Sequence, residues 1–481
     1  MNTSRREFLA GLGALGLGAT FVDRVYASMK YDRNAILDLF AMRAEQTKAR
    51  VEAGIELNRK GPMLLLFEDA SGRPAEGARV RIVQKTHEFR YGANLFMLDE
   101  FTDEPEKNES YKKLFASAFN LATVPFYWDG IEPEPGKLRF AADSKKIYRR
   151  PPPDLCIDWC ERNGIEPKAH ILNYAQTAPG WTKGSIFREK TLLEKRMREI
   201  AERYASRVPM WEVTNETFRD PSRDNGGGLF RPTNLYLEDD FVEWSFKTAE
   251  KYFGANELVI NEGQERCWPA YSAWFLRNRS PYYMQIERAI LKGARIDGIG
   301  MQFHMFCGAE ESVRHTRPYY DPQALFDVLD TYAALGKPMQ ITEMTIPAYS
   351  DDPGDEEVQA EIIRQLYSIW FSHRAMKAIV YWNLPDGYAA WAPRGDYSKG
   401  ENRFRAGLIR YDMSPKPAYE VIRDLFAKTW RTNIVREVPS RYAFRGFRGA
   451  YEVEATWKGK TVRKGFTIGR SSHDRCVVRF S

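Results

Sequence analysis

After residue 80, eight short β-rich runs alternate with segments of helical periodicity, which predicts an α/β chain closed into a (β/α)8 barrel of the TIM type. Short strand-like runs on both sides of that segment predict a small accessory β-sandwich built jointly from the N- and C-terminal flanks. The runs at 210–216 and 339–346 each carry a glutamate near their C-terminal end, where such barrels place their sites. A doubly wound sheet is the alternative. Units spaced roughly 30–47 residues apart around eight strands favour closure.

Taken in order, residues 1–27 read as an address. Ser4-Arg5-Arg6-Glu7-Phe8-Leu9-Ala10 precedes a glycine-rich apolar stretch to about Val22, then Val25-Tyr26-Ala27 as a cleavage site. This predicts a twin-arginine signal peptide, with the twin-arginine translocase as transport partner and a periplasmic or secreted location. The stretch is too short and too rich in glycine for a spanning helix, which needs ~20 apolar residues. Nothing later in the chain predicts a membrane span. Gly11, Gly13 and Gly16 match a dinucleotide fingerprint, but no strand precedes them and no βαβ unit follows, so no cofactor is expected.

Residues 28–60 are charged and helical, a lead-in. Residues 61–86 hold strand-like runs at 63–67 and 78–85 around the turn Asp69-Ala70-Ser71-Gly72-Arg73-Pro74. Residues 87–429 form the barrel, with strands at 90–96, 121–128, 166–172, 210–216, 257–263, 297–306, 339–346 and 378–384. Helical periodicity is clearest at 192–204, 237–253, 322–335 and 356–371. Residues 430–481 carry runs at 442–447, 451–457 and 462–468, the C-terminal part of the small β domain. Two strands alone are marginal, so the flanks are expected to combine.

With 43% hydrophobic and 28% charged residues, the chain belongs with ordinary globular proteins rather than disordered ones. Residues 431–481 hold about 12 Lys/Arg against 4 Asp/Glu, enough to account for the net charge of +6. No nucleic-acid motif accompanies them, so a solvated basic face is expected and no nucleic-acid partner. Cys156, Cys160, Cys267, Cys307 and Cys476 are odd in number and irregular in spacing, which is neither a disulfide framework nor a zinc site.

The two glutamate runs are Met210-Trp211-Glu212-Val213-Thr214-Asn215-Glu216 and Met339-Gln340-Ile341-Thr342-Glu343. Burying an unpaired carboxylate costs several kcal/mol, so such runs hold either salt-bridged core glutamates or carboxylates that do chemistry. Glu216, ending strand 4, and Glu343, late in strand 7, are the catalytic candidates. A carboxylate pair at one barrel mouth is the minimum equipment for cleaving a glycosidic bond, one as acid/base and one as nucleophile. Excess Trp and Tyr suits rings that stack on sugars as well as it suits a core.

From about Tyr91 to Phe426 the chain resembles glycoside hydrolase family 10, best known as endo-1,4-β-xylanases. Trp211–Glu216 resembles W-D-V-V-N-E, and Ile341-Thr342-Glu343 resembles I-T-E-L-D. Residues 296–304 look like the strand-6 I-D-G-I-G-x-Q-x-H, and Gln176-Thr177-Ala178-Pro179-Gly180-Trp181 is similar to Q-T-P-G-W with one Ala inserted. Trp382 and Trp391 match the spacing of two strand-8 tryptophans. The resemblance implies a retaining double displacement on xylan or a related β-1,4-glycan, with Glu216 as acid/base, protonated at rest, and Glu343 as ionised nucleophile. It further implies that His304 hydrogen-bonds Glu343, that Asn215 meets the sugar 2-hydroxyl, and that Trp382 and Trp391 wall the cleavage subsite. Gln302 shares a strand face with His304.

Departures fall on specificity. The family's E-N-E-M-K-W at strand 2 becomes Val124-Pro125-Phe126-Tyr127-Trp128, its W-H after strand 3 becomes Tyr174-Ala175, and Thr345 stands where an Asp follows the nucleophile. Tyr174, His170 and Trp128 complete the candidate sugar-binding set, with Asn173 and His170 available to replace lost polar groups. Loops 219–234 and 385–405 are long enough to close one end of a cleft. A sugar-binding protein on a barrel with weak or lost catalysis is the second reading. A metal-dependent barrel hydrolase is the third, and with only His170 and His304 on predicted barrel strands it lacks ligands, so no metal is expected.

Overall fold

The computed structural model describes residues 33–218, 233–268, 274–470 and 474–480. The expected signal at 1–27 and most of loop 219–234 lie outside the described residues. Helix α1 (Ala44–Arg59) leads into β1 (Lys60–Asp69) and β2 (Ala78–Gln84). The barrel follows as β3 (Arg90–Asn94), β4 (Leu121–Pro125), β5 (Glu166–His170), β6 (Met210–Asn215), β7 (Glu257–Glu262), β8 (Gly298–His304), β9 (Met339–Thr345) and β10 (Met376–Tyr381). Each strand pairs in parallel with the next and β10 closes on β3. The intervening helices are α2 (Glu106–Ala118), α3 (Pro153–Asn163), α4 (Ile186–Tyr204), α5 (Phe241–Tyr252), α6 (Pro281–Leu291), α7 (Pro322–Ala333) and α8 (Pro353–Ser372), with α9 (Pro417–Asp424) after β10.

Why these segments form these elements is local chemistry. Strands β6, β8 and β9 are buried at every position, which is why they read as continuous apolar runs rather than alternating ones. Ser280, Asp321 and Asp352 cap α6, α7 and α8 by accepting from first-turn amides, and each helix has proline in its first turn, where a missing N–H costs nothing. The register shifts between Glu212 and Thr214, Met301 and Gln302, and Ile379 and Tyr381. Such irregularities re-aim side chains, and these lie in the halves of the strands nearest the mouth.

Two boundaries correct the expectations. The second barrel strand ends at Pro125, and Trp128 opens a short helix to Ile131 instead of continuing the strand. The last barrel strand runs from Met376 to Tyr381, two residues earlier at its start and three shorter at its end than 378–384.

The flanks form two small sheets, each mixing both ends of the chain. After α9 come β11 (Asn433–Val438), β12 (Arg441–Phe447), β13 (Gly449–Trp457), β14 (Lys460–Ile468) and β15 (Arg475–Phe480). The sheets have orders β12-β1-β15 and β11-β2-β13-β14. Alternate residues of β1, β2 and β13 point into one shared core that includes Leu65, Phe67, Ile82, Val453 and Phe480. Sequence reasoning missed β11 and β15. In β11 only Val438 is buried, so there is no alternation to see, and the exposed Val477 masks the alternation of β15.

Helix α1 is fastened to the barrel's N-terminal end. A Cβ on Gly54 would meet the Ser372 carbonyl oxygen at 2.6 Å, so glycine permits close contact with the end of α8. Buried Arg59 donates to the carbonyls of Phe371, His373 and Met376. Among the described residues no helix is long and apolar enough to cross a membrane.

Candidate active site

The C-terminal ends of β6, β7, β8 and β9 bring two carboxylates under one amide. Gln302 Nε2, on β8, lies 3.2 Å from Glu216 Oε1 and 3.2 Å from Glu343 Oε1. The two oxygens are therefore at most about 6.4 Å apart, compatible with the ~5–5.5 Å of retaining carboxyl pairs. The same nitrogen is 3.1 Å from Asn215 Oδ1. Asn261 Nδ2 donates to Asn215 Oδ1 at 2.9 Å and to Glu343 Oε1 at 3.0 Å, while Thr342 Oγ1 donates to Asn261 Oδ1. Asn215 thus turns its oxygen into the network. Its Nδ2 has no protein acceptor among the described residues and can meet a sugar hydroxyl.

Glu216 directly follows β6 with φ +50°, a left-handed conformation that costs a non-glycine residue ~1–3 kcal/mol. Its backbone is held there, the amide donating to Asn261 O at 3.3 Å and the carbonyl accepting from Tyr236 Oη at 3.2 Å. Tyr174 Oη donates to Glu216 Oε2 at 2.6 Å, so the residue that departs from the family pattern touches the acid/base candidate directly.

Glu343 is buried, and burial pushes its carboxyl up to about 8, opposed by attraction to His170 and Lys168 and reinforced by repulsion from Glu212 and Glu216. This is the reverse of the expected direction. The neutral donors around it do not compensate for lost water. His304 Nε2 is 3.2 Å from Glu343 Oε2, and His304 Nδ1 is 2.8 Å from Thr345 Oγ1. Burial lowers the imidazole to about 4, against the pull of Glu401, so the ring is neutral near pH 7. Thr345 then donates to Nδ1 and leaves the Nε2 proton for Glu343. A hydroxyl thereby replaces the family's aspartate as the group that sets the tautomer.

Glu212 is the salt-bridged core glutamate of the first run. Its two oxygens bind Lys168 Nζ and His170 Nδ1, both buried. Burial would raise this carboxyl, but its contacts with Lys168 and His170 outweigh it and the net direction is down. His170, Glu212 and Glu343 offer ligand atoms within 4.8 Å of one another. Both oxygens of Glu212 are already engaged by Lys168 and His170, which makes this donor set a poor fit for a metal ion.

The cleft floor is aromatic. Trp382 packs edge-on against Phe96 at 5.2 Å, His170 at 5.5 Å and His304 at 6.1 Å, and Tyr127 against His170 at 5.1 Å. Trp391 sits on the loop after β10, 70% exposed and with φ +62°, on the rim rather than the floor. Trp128 lies in the main core, its Nε1 donating to Glu132 at 3.1 Å, and Tyr127 faces the site in its place. Asn173 spends its amide on Ser245 Oγ at 2.8 Å, behind the barrel wall, and does not replace the missing polar groups.

Sequence reasoning missed Asn261 and Glu262. Burial pushes Glu262 to about 7, and its Oε2 accepts from Thr217 N at 2.7 Å, fixing the residue after Glu216. A signal was present, since Asn215-Glu216 and Asn261-Glu262 form the same dipeptide at the C-terminal ends of neighbouring strands.

A barrel carrying two opposed carboxylates at its C-terminal mouth, over a floor of aromatic rings, is the architecture of a glycoside hydrolase. The glycosyl hydrolase family 10 model matches residues 92–425, most of the chain, and the chain belongs to that family. It is 26% identical to endo-1,4-beta-xylanase B of Thermotoga neapolitana over 66% of this chain and 83% of that protein. Endo-1,4-beta-xylanase 2 of Aureobasidium pullulans is also 26% identical, over 61% and 76%. Xylanase 10B of Thermotoga petrophila RKU-1, solved in complex with xylobiose, shares the fold with a TM-score of 0.55 at 23% identity, over 71% of this chain and 95% of that one.

Proposed function

We propose that this chain cleaves xylan or a related β-1,4-glycan with retention of configuration, by double displacement. The observation that carries the reading is the single Gln302 nitrogen 3.2 Å from both carboxyls. Glu343 attacks the anomeric carbon as Glu216 protonates the leaving oxygen, and the covalent glycosyl-enzyme forms. Glu216 then takes a proton from water, which attacks the same carbon and releases Glu343. Asn215 Nδ2 donates to the 2-hydroxyl in this reading, a contact that strengthens as the ring flattens.

Only ionised Glu343 can attack, so kcat/KM should rise as pH increases toward about 8. The elevated carboxyl is also the one observation that favours the second reading, a sugar-binding barrel with weak catalysis. Export by the twin-arginine translocase to a periplasmic or secreted location rests on residues 4–27, and the flanks resemble a carboxypeptidase regulatory-like module in the stretches 69–80 and 441–453.

Sugar release from xylans, glucans, mannans and aryl glycosides tests the proposal, with Glu343→Gln and Glu216→Gln as controls and NMR of the first-formed anomer. Release of the β-anomer from xylan, lost in Glu343→Gln, is the expected result. An α-anomer would sink the mechanism. Release from another glycan alone would move the substrate, and no release by folded protein would leave the binding reading.

A further inference from the structure

The second barrel loop brings two arginines to the floor of the cleft without bringing their counter-ions. Arg149 and Arg150 lie just before α3, and the Arg150 guanidinium covers the Tyr127 ring at 3.8 Å. Tyr127 in turn packs against His170, whose ligand atoms lie within 4.8 Å of those of Glu343. Arg149 is buried and sits 5.5 Å from the Phe96 ring, donating to Asn383 Oδ1 at 3.1 Å and to the Tyr388 carbonyl. Arg150 donates through Nη1 to the Arg149 carbonyl at 3.0 Å. Among the described residues, neither arginine has a carboxylate within 4.0 Å, and the remaining N–H groups of Arg150 have no protein acceptor. Asp129 and Glu401 are within electrostatic reach and make no ion pair with them.

The position is built for an arginine. A Cβ on Gly130 would meet Arg150 Cδ at 3.2 Å and Cγ at 3.4 Å, so the stem lies in a groove that glycine leaves open. Burial lowers the Arg149 guanidinium, and the pull of Glu401 does not make up the loss. Two such cations side by side disfavour each other and await a negative group. Guanidinium forks match carboxylates in geometry and charge. Neutral sugar hydroxyls need no such cation and are served as well by amides and carboxylates.

We propose that Arg150, seated on Tyr127 and backed by Arg149, anchors a carboxylate carried by the glycan, that of a uronic acid branch on the xylan chain. The assignment rests on the reading of the cleft as a xylan site and names the decoration it selects. The carboxylate lies on the β3–β4 side of the cleavage point, beside the rings of Tyr127 and Phe96 that the two guanidinium groups approach.

Binding to full-length Glu343→Gln tests this apart from turnover. Calorimetry would compare a glucuronic-acid-branched xylo-oligosaccharide, the unbranched oligosaccharide of equal length, and an oligogalacturonate. The branched ligand should bind about ten-fold tighter or more, one charge-assisted hydrogen bond's worth. The advantage should shrink in high salt and vanish in Glu343→Gln/Arg150→Gln, with melting temperature confirming the fold. Equal affinity for branched and unbranched ligands would overturn the proposal. So would an advantage that survives loss of Arg150. Arg150-dependent binding of oligogalacturonate, with no binding of either xylo-oligosaccharide, would keep the carboxylate anchor and sink the xylan reading instead.

Discussion

Glu343 shows what a site costs at the scale of one residue. Its direct partners Asn261, Gln302 and His304 are all neutral donors. They orient the carboxyl without replacing the water it lost, and burial raises it to about 8. The unfolded chain releases this proton near its ordinary value of 4.5, whereas the folded chain holds it to about 8. Between those values folding takes up a proton, so this group's contribution to stability falls as pH rises, by about 1.4 kcal/mol per unit, and is level beyond both. Glu343→Gln removes the titration. The variant should therefore be more stable than wild type by a margin that widens from pH 5 to pH 8. Denaturation midpoints at those two values check it, and a margin independent of pH would sink the claim.

At the scale of elements, the barrel was legible in the sequence because strands buried on both faces read as apolar runs between helically periodic segments. Glu216 and Glu343 were legible because a charge in an apolar run is conspicuous. Glu262 ends a similar run, but its role depends on a hydrogen bond to Thr217 across strands, which no one-dimensional pattern displays. Arg149 and Arg150 were hidden for a like reason, since their loop reaches the cleft only once α3 has packed.

The link between β2 and β3 carries a second consequence of burial. His87 lies among Phe371, Phe426 and Phe447, accepts from Phe89 N at 3.0 Å through Nδ1, and is pushed down to about 3 by burial. Below its unfolded value near 6.5 the unfolded chain binds a proton that the folded chain refuses. Stability should drop by about 2 kcal/mol between pH 6.5 and pH 5 from this group. His87→Asn keeps an acceptor for the amide and removes the titration, so its acid slope should be shallower by that amount. Parallel slopes in urea titrations would argue against it.

For the whole molecule, the small β domain and the catalytic mouth occupy opposite ends of the barrel. The chain passes from β2 into the N-terminal end of β3, and α1 grips the residues that precede β10, whereas Glu216, Gln302 and Glu343 all stand at C-terminal ends. The flanking sheets therefore support the barrel without lining the cleft. Their own stability is shared between the chain's two ends. β1 lies between β12 and β15, and β2 between β11 and β13, so neither N-terminal strand has a partner from its own flank. Ending the chain at Ala427 would strip both strands of every neighbour and bare Met63, Leu65, Phe67, Val80 and Ile82, all nearly inaccessible now. Fully exposing such side chains costs ~1.5–3 kcal/mol each, and two long unpaired edges invite intermolecular pairing. The shortened chain should be aggregation-prone and melt well below the full chain. Any soluble fraction should keep the substrate preference of the intact protein, because no cleft residue has been removed. A truncated chain that is monomeric and as thermostable as wild type would mean that the two ends do not depend on each other. A change of preference in the soluble fraction would mean that the β domain reaches the substrate.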